Sequence, residues 1–405
     1  AIIREPTVTA RFTICDTFDW RIFNKSLVFY ASGNRLFLRK LAEDEIRYSA
    51  ESPSFPVFIW DFPDGELRRH LAPIIKMRAL LKLVDVQSRS VPYRILNPDE
   101  KTVAWLAYEE FRLWRRKNKS VLVAHLWLKP VKGYPKYLRT LAKLFQEAGV
   151  KISKKEDVFF KALEVVGKKP GDYSTKLAIQ LDPKMCSDQA TKIILCFLLQ
   201  VMRINEANIE KDLDTEFLHD FRVAIRRTRS ALGQIKYVFP VKTTDRFKKD
   251  FALLGKLSNE LRDLDVYLLN EDKFKAMLPP MLRNDIDPLF DHLREKRSKA
   301  LQNVIRALKA KKYAKILKDW EAFLNKPQRD SMAATNAYLP VIDLSRNRIY
   351  HKYRNFVKVG SQIHENTEDD MLHVIRIHFK KLRYLMEFFS ILFHRKKINV
   401  LIEQL

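Results

Sequence analysis

Basic side chains recur at a fixed spacing in two segments of the chain. The first segment runs from His219 to Arg229, and the second runs from His373 to Arg383, 154 residues later. Both read His-x-x-Arg-x-x-x-[Arg/Lys]-[Arg/Lys]-x-Arg. On a helix that turns by roughly 100° per residue, offsets of 0, 3, 7 and 10 fall within an arc of about 80°. The residues predicted to share each face are His219, Arg222, Arg226 and Arg229 in the first segment, and His373, Arg376, Lys380 and Arg383 in the second.

The chemistry that such a face supports is the binding of phosphate groups. Guanidinium groups one helical turn apart can form paired hydrogen bonds with successive phosphates, so the row suits a linear polyanion. Beside each face runs an apolar stripe, which we expect to anchor the helix in a core and to hold the basic row in place. The stripes comprise Phe221, Ile225 and Leu232 in the first segment and Ile375, Phe379 and Met386 in the second.

A basic helix face can also be an ordinary solvated surface. Two observations favour binding: the same residue types recur at the same offsets, and like charges one turn apart destabilise a helix unless anions offset them. The leading histidines, His219 and His373, are candidate metal ligands, buried core residues or donors to phosphate. Because no second histidine or carboxylate follows four residues later, we expect them to donate to phosphate or to cap the site.

The charge balance of the chain indicates an anionic partner. Its 405 residues include 75 Lys and Arg against 49 Asp and Glu, a formal net charge of +26 with neutral histidines. Such a surplus repels itself unless a polyanion offsets it. Nucleic acid, an acidic membrane surface and polyphosphate all satisfy this constraint, so composition does not choose among them.

Other features of the sequence favour a cytoplasmic protein without membrane insertion. The longest apolar stretch, around residues 193–202, is too short to cross a bilayer, and the N-terminus lacks the apolar core of a signal peptide. The three cysteines, Cys15, Cys186 and Cys196, lack the paired spacing of a zinc site or a disulfide framework. Their number and spacing favour a reducing cytoplasm.

Two periodicities divide the chain. Up to about Asp182 apolar residues often alternate, as in residues 35–39 and 121–126, which predicts a mainly β domain with one helix at 137–148. From Asp188 onward apolar residues recur at helical spacing, which predicts a helical bundle. The predicted fold is therefore α+β, with a β domain at 1–182 and a helical domain at 188–405. The helical stretches are expected at 189–206, 217–239, 246–269 and 370–393.

The helical half resembles the CHAD family, named for conserved histidines on an α-helical domain. Residues 219–232 are similar to its first signature helix and residues 372–387 to its second, and Leu254-Gly255 with residues 262–266 is similar to the segment after the first. The resemblance implies two pseudo-symmetric bundles whose basic helices line a groove or pore that binds inorganic polyphosphate. With nearby basic candidates added, the expected polyphosphate-binding residues are His219, Arg222, Arg226, Arg227, Arg229, Lys248, Lys256, Arg262, His373, Arg376, Lys380, Lys381, Arg383 and Tyr384.

The second of these bundles is expected to be incomplete. The Leu254-Gly255 segment lies about 36 residues past His219, and its counterpart after His373 would fall beyond Leu405. Further basic residues on the remaining helices are each equally compatible with a solvated surface charge; they are Lys249, Arg297, Arg306, Arg348 and Lys352.

The N-terminal half resembles CYTH domains as they occur fused to CHAD domains, on the basis of residues 15–20, 36–39 and 132–134. CYTH domains are antiparallel β tunnels whose active members hydrolyse triphosphates with metal held by a first-strand Glu-x-Glu-x-Lys motif. No such motif precedes Asp16, and residues 43–47 mimic its spacing only after that point, where we interpret them as a charged loop. We therefore expect a degenerate tunnel without catalysis. Its candidate anion contacts are Arg35, Arg39, Lys76 and Arg78, whereas Glu109 and Glu110 should face opposite sides of a strand.

Polyphosphate binding without catalysis is the function that these patterns favour. The alternative is a metal-dependent triphosphatase or polyphosphatase in the CYTH-like half, and nucleic-acid binding through the basic surface is a third class. Base recognition would require aromatic side chains that the two faces lack, apart from Tyr384. No cofactor or metal is expected, because the chain has neither a Gly-rich phosphate loop nor a His-Glu-x-x-His zinc helix. Association with polyphosphate granules would follow, whereas chain-length preference and oligomeric state are left open.

Overall fold

The computed structural model describes residues 1–41, 45–114, 121–150, 157–177, 179–326, 334–363 and 367–405. The chain divides into two compact units, Ala1–Tyr173 and Ser174–Leu405. The first is built on a β-sheet and the second on helices, which confirms the predicted α+β architecture. Part of the segment 43–47, which was interpreted as a loop, lies outside the described residues, and the interpretation is wrong for Ile46 and Arg47, which begin a β-strand.

The N-terminal unit contains one antiparallel sheet. Across the described ranges its strand order is β5-β4-β3-β2-β6-β7-β8, and β1 pairs with the far end of β6. Both stretches predicted as strands from alternation, in β4 and β8, are confirmed. The strands are β1 (Ile2–Arg4), β2 (Val8–Thr17), β3 (Leu27–Ser32), β4 (Arg35–Lys40), β5 (Ile46–Glu51), β6 (Leu80–Leu96), β7 (Thr102–Leu113) and β8 (Val121–Pro130).

Side-chain alternation explains how this sheet buries its core. On β4, Leu36 and Leu38 are buried against Phe29 and Leu71, whereas Arg39 points to the opposite face. Within the described part of this unit, three α-helices flank the sheet, and the predicted helix at 137–148 is the second of them. They are α1 (Glu66–Ile75), α2 (Pro135–Glu147) and α3 (Val158–Val165).

The C-terminal unit is helical throughout its regular elements in the described ranges, and none of its helices there is long and apolar enough to span a bilayer. The predicted continuous stretch at 246–269 is interrupted at Ser258, where the backbone leaves helical geometry and a new helix begins. The helices are α4 (Ser187–Ile209), α5 (Glu216–Gln234), α6 (Val241–Leu257), α7 (Asn259–Leu269), α8 (Glu271–Met277), α9 (Asp287–Leu308), α10 (Lys311–Asn325), α11 (Val341–Gly360), α12 (Asp369–Phe389) and α13 (Arg395–Gln404).

A pseudo-two-fold relation connects α4–α6 with α11–α13. The start of α11 follows that of α4 by 154 residues, and the start of α13 follows that of α6 by the same interval. Backbone hydrogen bonds at the junction are reciprocal: Ser187 donates to the carbonyl of Leu339, and Val341 donates to that of Met185, both at 2.9 Å. The two donors, Ser187 and Val341, are 154 residues apart, and so are the two acceptors, Met185 and Leu339, so the sequence repeat is also a structural repeat.

The boundary between the units lies earlier than the predicted position near Asp182. The ring of Tyr173 packs 5.0 Å from that of Phe18, which ties the chain up to that point to the N-terminal unit. Two residues later, the carbonyl of Thr175 accepts a hydrogen bond of 2.8 Å from Arg227 on α5. These contacts place the boundary between the two units between Tyr173 and Ser174, before the position where the apolar pattern of the sequence changes from alternating to helical.

Candidate anion-binding site

The first signature helix, α5, is fixed in the core by its apolar stripe. Phe221, Ile225 and Leu232 are all buried, as the stripe predicted. A helix carrying them must turn its basic row away from that core. Arg222 is half-buried at the edge of the row, and Arg226 is exposed.

Arg222 is held at the C-terminal end of α6. Its Nη1 donates to Ser258 Oγ at 2.9 Å and to the carbonyl of Gly255 at 3.3 Å. Partial burial lowers the pKa of Arg222, the positive charge of Arg226 adds to that effect, and Asp263 opposes it. The Leu254-Gly255 segment singled out in the sequence therefore supplies an acceptor for the first basic face.

The second signature helix, α12, repeats the arrangement with more exposed cations. Ile375 and Met386 are buried as predicted, and Phe379 packs on Phe356 of α11 with ring centroids 4.3 Å apart. Arg376 and Lys380 are exposed. This helix contacts α5, so the two basic faces belong to adjacent helices.

Equivalent cations of the two repeats approach each other across this contact. Partial burial lowers the pKa of Lys380, and the positive charges of Arg376 and Arg226 lower it further. Arg226 and Lys380 are separated by 154 residues and occupy the same position of the repeat. The two-fold relation thus brings like charges together, which raises the free energy of the site unless an anion is bound.

A carboxylate of α12 clamps the two helices beside these cations. Glu387 accepts from Arg227 of α5 at 2.7 Å and from Arg383 at 3.0 Å. The guanidinium of Arg227 also lies 5.8 Å from the ring centre of Tyr384. That Arg227, Arg383 and Tyr384 contact an anion stays a prediction. In this structure Arg227 and Arg383 pair with Glu387, and the Arg227 guanidinium lies beside the ring of Tyr384. The role of Glu387 was missed, since no spacing rule connects it to Arg227.

Comparison with known proteins identifies the helical unit. The model of the CHAD domain matches residues 193–405. The chain belongs to the CHAD family. Two uncharacterized proteins of Mycobacterium tuberculosis, from two strains, are 25% identical over 173 residues, which cover 41% of this chain and 33% of each relative. The match therefore spans about a third of the length of these curated relatives.

Two solved structures are similar to the chain. The crystal structure of the CHAD domain from the plant Ricinus communis shares 23% sequence identity at a TM-score of 0.48, covering 56% of this chain and 74% of that one. PptA from Streptomyces chartreusis shares 14% identity at a TM-score of 0.37, covering 53% of this chain and 81% of that one.

The other predicted site residues of the CHAD domain differ in their exposure and in whether they pair with a carboxylate. Arg262 is half-buried, and its Nη1 has no hydrogen-bond partner in the part of the chain that the structure describes. Lys248 pairs with Asp245 at 3.3 Å. Lys256, Arg229, His373 and Lys381 are exposed, and His219 is half-buried. Arg297, a weaker candidate, is tied to Asp212 at 2.6 Å and to Asp265 at 2.8 Å.

A second basic cluster gathers around Lys352 of α11. Partial burial lowers the pKa of Lys352, and the charges of Lys381, Arg348 and Lys236 lower it further. Arg348 is held in place because its Nε donates to the carbonyl of Gln234 at 2.8 Å. Lys236 was missed because it lies beyond the signature at 219–229; it falls within the predicted helical stretch 217–239 but after the observed end of α5 at Gln234.

Outside the CHAD domain, the N-terminal sheet lines a cavity of about 540 Å³. Arg39 lies in its wall, as predicted, but forms an ion pair of 2.8 Å with Asp157. Arg78 is fully buried 3.5 Å from Asp19, so neither guanidinium is an unpaired tunnel cation. No group of three metal-ligating side chains occurs among the residues described. The resemblance to CYTH domains stays a prediction with which this antiparallel sheet is consistent.

The paired glutamates of β7 face opposite sides, as predicted. Glu109 lines the cavity and accepts from Trp127 Nε1 at 2.8 Å. Glu110 is buried on the other face, with Arg112 at 3.3 Å and Arg89 at 3.5 Å. Although burial opposes the shift, these two arginines lower the pKa of Glu110. The two carboxylates therefore cannot act as one acid–base pair.

Proposed function

We propose that this CHAD domain binds inorganic polyphosphate on the joint basic face of α5 and α12, without catalysis. The observation that carries the proposal is that α5 and α12 are in contact and that the charge of Arg226 acts on Lys380 across this contact. Two like charges at equivalent positions are a source of repulsion in the unliganded protein. A polyanion that lies between them converts this repulsion into attraction.

Local charge supports an anionic ligand here. Among the residues that the structure describes, no carboxylate forms an ion pair with Arg226, Arg376 or Lys380. Glu387, a carboxylate of α12, is already shared by Arg227 and Arg383. The exposed cations therefore remain available for phosphate oxygens.

The shape of the face supports a linear ligand. Basic residues one turn apart on α5 and again on α12 form two rows, each repeating at about 5.4 Å along its helix. A chain of linked phosphates can contact several such residues at once, and each additional contact benefits from the effective concentration that the earlier ones create. Free orthophosphate gains no such advantage.

Nucleic acid shares the phosphate chemistry but requires more than this face provides. Stacking of bases needs accessible aromatic rings. Tyr384, the aromatic residue of the two signature faces, is half-buried beneath the Arg227 guanidinium. This surrounding favours polyphosphate over RNA, and association with polyphosphate granules in the cytoplasm would follow from it.

A double-mutant cycle tests the proposal on the full chain. Arg226→Ala and Lys380→Ala should each weaken the binding of long-chain polyphosphate by about 1–3 kcal/mol, because each removes a charge-assisted contact. The double variant should show a coupling energy above about 0.5 kcal/mol, because both residues contact the same stretch of ligand. Isothermal titration calorimetry measures all four proteins.

The matched control is Lys312→Ala, which removes an exposed lysine on α10 rather than on either signature helix. Its affinity for polyphosphate should equal that of the unmodified chain. An equal loss for Lys312→Ala would mean that net charge alone drives binding. Stronger competition by RNA than by polyphosphate, at matched phosphate concentration, would also contradict the proposal.

A further inference from the structure

Cations in the second repeat occupy positions that belong to the apolar core of the first. Arg348 and Lys352 lie one turn apart on α11, and both are half-buried. The 154-residue relation maps them onto Ile194 and Leu198 of α4. Both of those residues are fully buried. The same position of the repeat is therefore filled by apolar side chains in one copy and by charge in the other.

The helix α12, which packs on α11, shows the same exchange. His378 is half-buried and corresponds to Ala224, which is fully buried on α5. Lys381 follows three residues later and so shares one side of α12 with His378. Burial lowers the pKa of His378, and the charges of Lys352 and Lys381 lower it further, which leaves the imidazole mostly neutral at pH 7. This side of α12 therefore faces Lys352.

The C-terminal end of α5 fixes the guanidinium of Arg348. Its Nε donates to the carbonyl of Gln234 at 2.8 Å, whereas Nη1 and Nη2 have no hydrogen-bond partner in the described part of the chain. Lys236 follows two residues after Gln234, and its own carbonyl accepts from Asn336 Nδ2 at 2.9 Å. An arginine held by one nitrogen presents the other two in a fixed direction.

Four cations of this region, the Lys352 cluster, lack carboxylate partners. They are Lys236, Arg348, Lys352 and Lys381, and none of them forms an ion pair among the residues that the structure describes. Burial lowers the pKa of Lys352, and the charges of the other three lower it further. Repulsion among the four raises the free energy of the unliganded protein, and a bound anion relieves it.

The arrangement of the Lys352 cluster differs from that of the joint basic face. The cations of the joint face form rows along α5 and α12, whereas those of the cluster surround Lys352 from α11, α12 and the segment after α5. Cations from three directions suit a compact and highly charged group. A terminal phosphate offers three oxygens and about −1.5 to −2 charge at pH 7, whereas an internal unit of a polyphosphate chain offers about two oxygens and one charge.

We infer that the Lys352 cluster is a second anion site, which binds a terminal phosphate group rather than an internal one. Both the end of a polyphosphate chain and a free short linear phosphate offer such a group, and for chain ends the inference rests on the proposed function. Arg348 contacts the phosphate through Nη1 and Nη2, and the three lysines contact it through their ammonium groups. The first repeat holds no equivalent site, because Ile194 and Leu198 fill the corresponding position.

Linear tripolyphosphate and cyclic hexametaphosphate test the inference on the full chain. The linear ion has terminal groups, whereas the ring has none and carries the larger charge. Lys352→Leu installs the residue of the first repeat. By isothermal titration calorimetry, it should weaken tripolyphosphate by at least about tenfold and hexametaphosphate by less than about twofold, because only the linear ion loses a charge-assisted contact in the cluster.

Two further variants serve as controls. Arg346→Leu removes one positive charge from the same helix, at an exposed residue that points away from Arg348 and Lys352 at about 100° per residue. It should leave both affinities within about twofold of the unmodified chain. Lys352→Arg keeps the charge and should retain the binding of tripolyphosphate. Thermal unfolding followed by circular dichroism verifies that each variant is folded.

Long-chain polyphosphate distinguishes the two sources of the terminal group. At equal concentration of chain ends, a loss of affinity in Lys352→Leu assigns the site to polyphosphate ends, whereas an unchanged affinity assigns it to free short phosphates. Either result, with the loss of tripolyphosphate, supports a terminal-phosphate site.

Two results would overturn the inference. One is unchanged binding of tripolyphosphate by Lys352→Leu, and the other is an equal loss for the linear and the cyclic ion, which would make the cluster a general source of positive charge. Neither result involves Arg226 or Lys380, so the double-mutant cycle on those residues tests the proposed function separately.

Discussion

The helices α5 and α12 carry the same sequence signature, yet their equivalent basic residues have different partners. Arg227 of α5 is neutralised by Glu387 at 2.7 Å, with both side chains about 15% exposed. Its counterpart, Lys381, is exposed and adds its charge to the cluster around Lys352. The residue equivalent to Glu387 is Gly233, so the two-fold relation offers Lys381 no carboxylate.

This asymmetry teaches that a repeated signature does not assign a repeated role. On α5 one cation of the signature pairs with a carboxylate across the contact between helices, whereas on α12 the matching cation, Lys381, is exposed. The equivalent residues Arg222 and Arg376 show the same contrast. Arg222 on α5 is fixed by hydrogen bonds to Ser258 and Gly255, whereas Arg376 on α12 is exposed. A side chain fixed beforehand loses less conformational entropy when a ligand arrives.

The largest effect should come from breaking the clamp on α5. Glu387→Gln leaves the mostly buried Arg227 guanidinium without its counter-charge, so we expect the free energy of unfolding to fall by about 1–2 kcal/mol. Urea denaturation followed by circular dichroism measures it. The control is Glu321→Gln, which removes an exposed interhelical ion pair and should cost less than about 0.5 kcal/mol. Equal losses would show that the clamp is an ordinary surface pair.

The comparison can also be tested by installing the missing carboxylate. A Cβ atom at Gly233 would meet no heavy atom within 4 Å, so a side chain fits there. Gly233→Glu should weaken polyphosphate binding by about 1 kcal/mol, because it gives Lys381 an intramolecular partner. Gly233→Ala gains the same helix propensity without the charge and should leave the affinity unchanged. Identical affinities for the two variants would remove Lys381 from the binding surface.

The smallest effect concerns the pH dependence of binding. Polyphosphate favours the charged form of Lys380, whose pKa is lowered in the unliganded protein by burial and by the charges of Arg376 and Arg226. Affinity should therefore fall as the pH rises through this lowered pKa, at a pH below the ordinary value of about 10.4 for lysine.

Replacing the amine by a guanidinium isolates this contribution. Lys380→Arg keeps its charge over the whole range, so it should bind about two- to fivefold more tightly than the unmodified chain near pH 10 and equally near pH 7. Titrations at both pH values measure the difference. A constant ratio across the range would mean that Lys380 does not titrate in the site.

Sequence periodicity predicted much of the fold because secondary structure is a local property. The alternation in β4 and β8 and the helical spacing in α2, α4, α5 and α12 all specify which face of an element is buried. The break at Ser258 was not predicted, because it depends on a buried serine that accepts a hydrogen bond from Arg222 on another helix. The boundary at Tyr173 was likewise decided by ring packing on Phe18.

By itself the sequence determined the two basic faces and the apolar stripes beside them, since each follows from residue types at a fixed spacing, and its signature helices carried the resemblance to the CHAD family. Only the tertiary structure decided what those faces meet. It placed the charge of Arg226 within electrostatic reach of Lys380 and gave Arg227 the carboxylate of Glu387. The physical reason is distance along the chain: spacing fixes the direction of a side chain on its own helix, but its partner lies more than 150 residues away, and packing alone selects it.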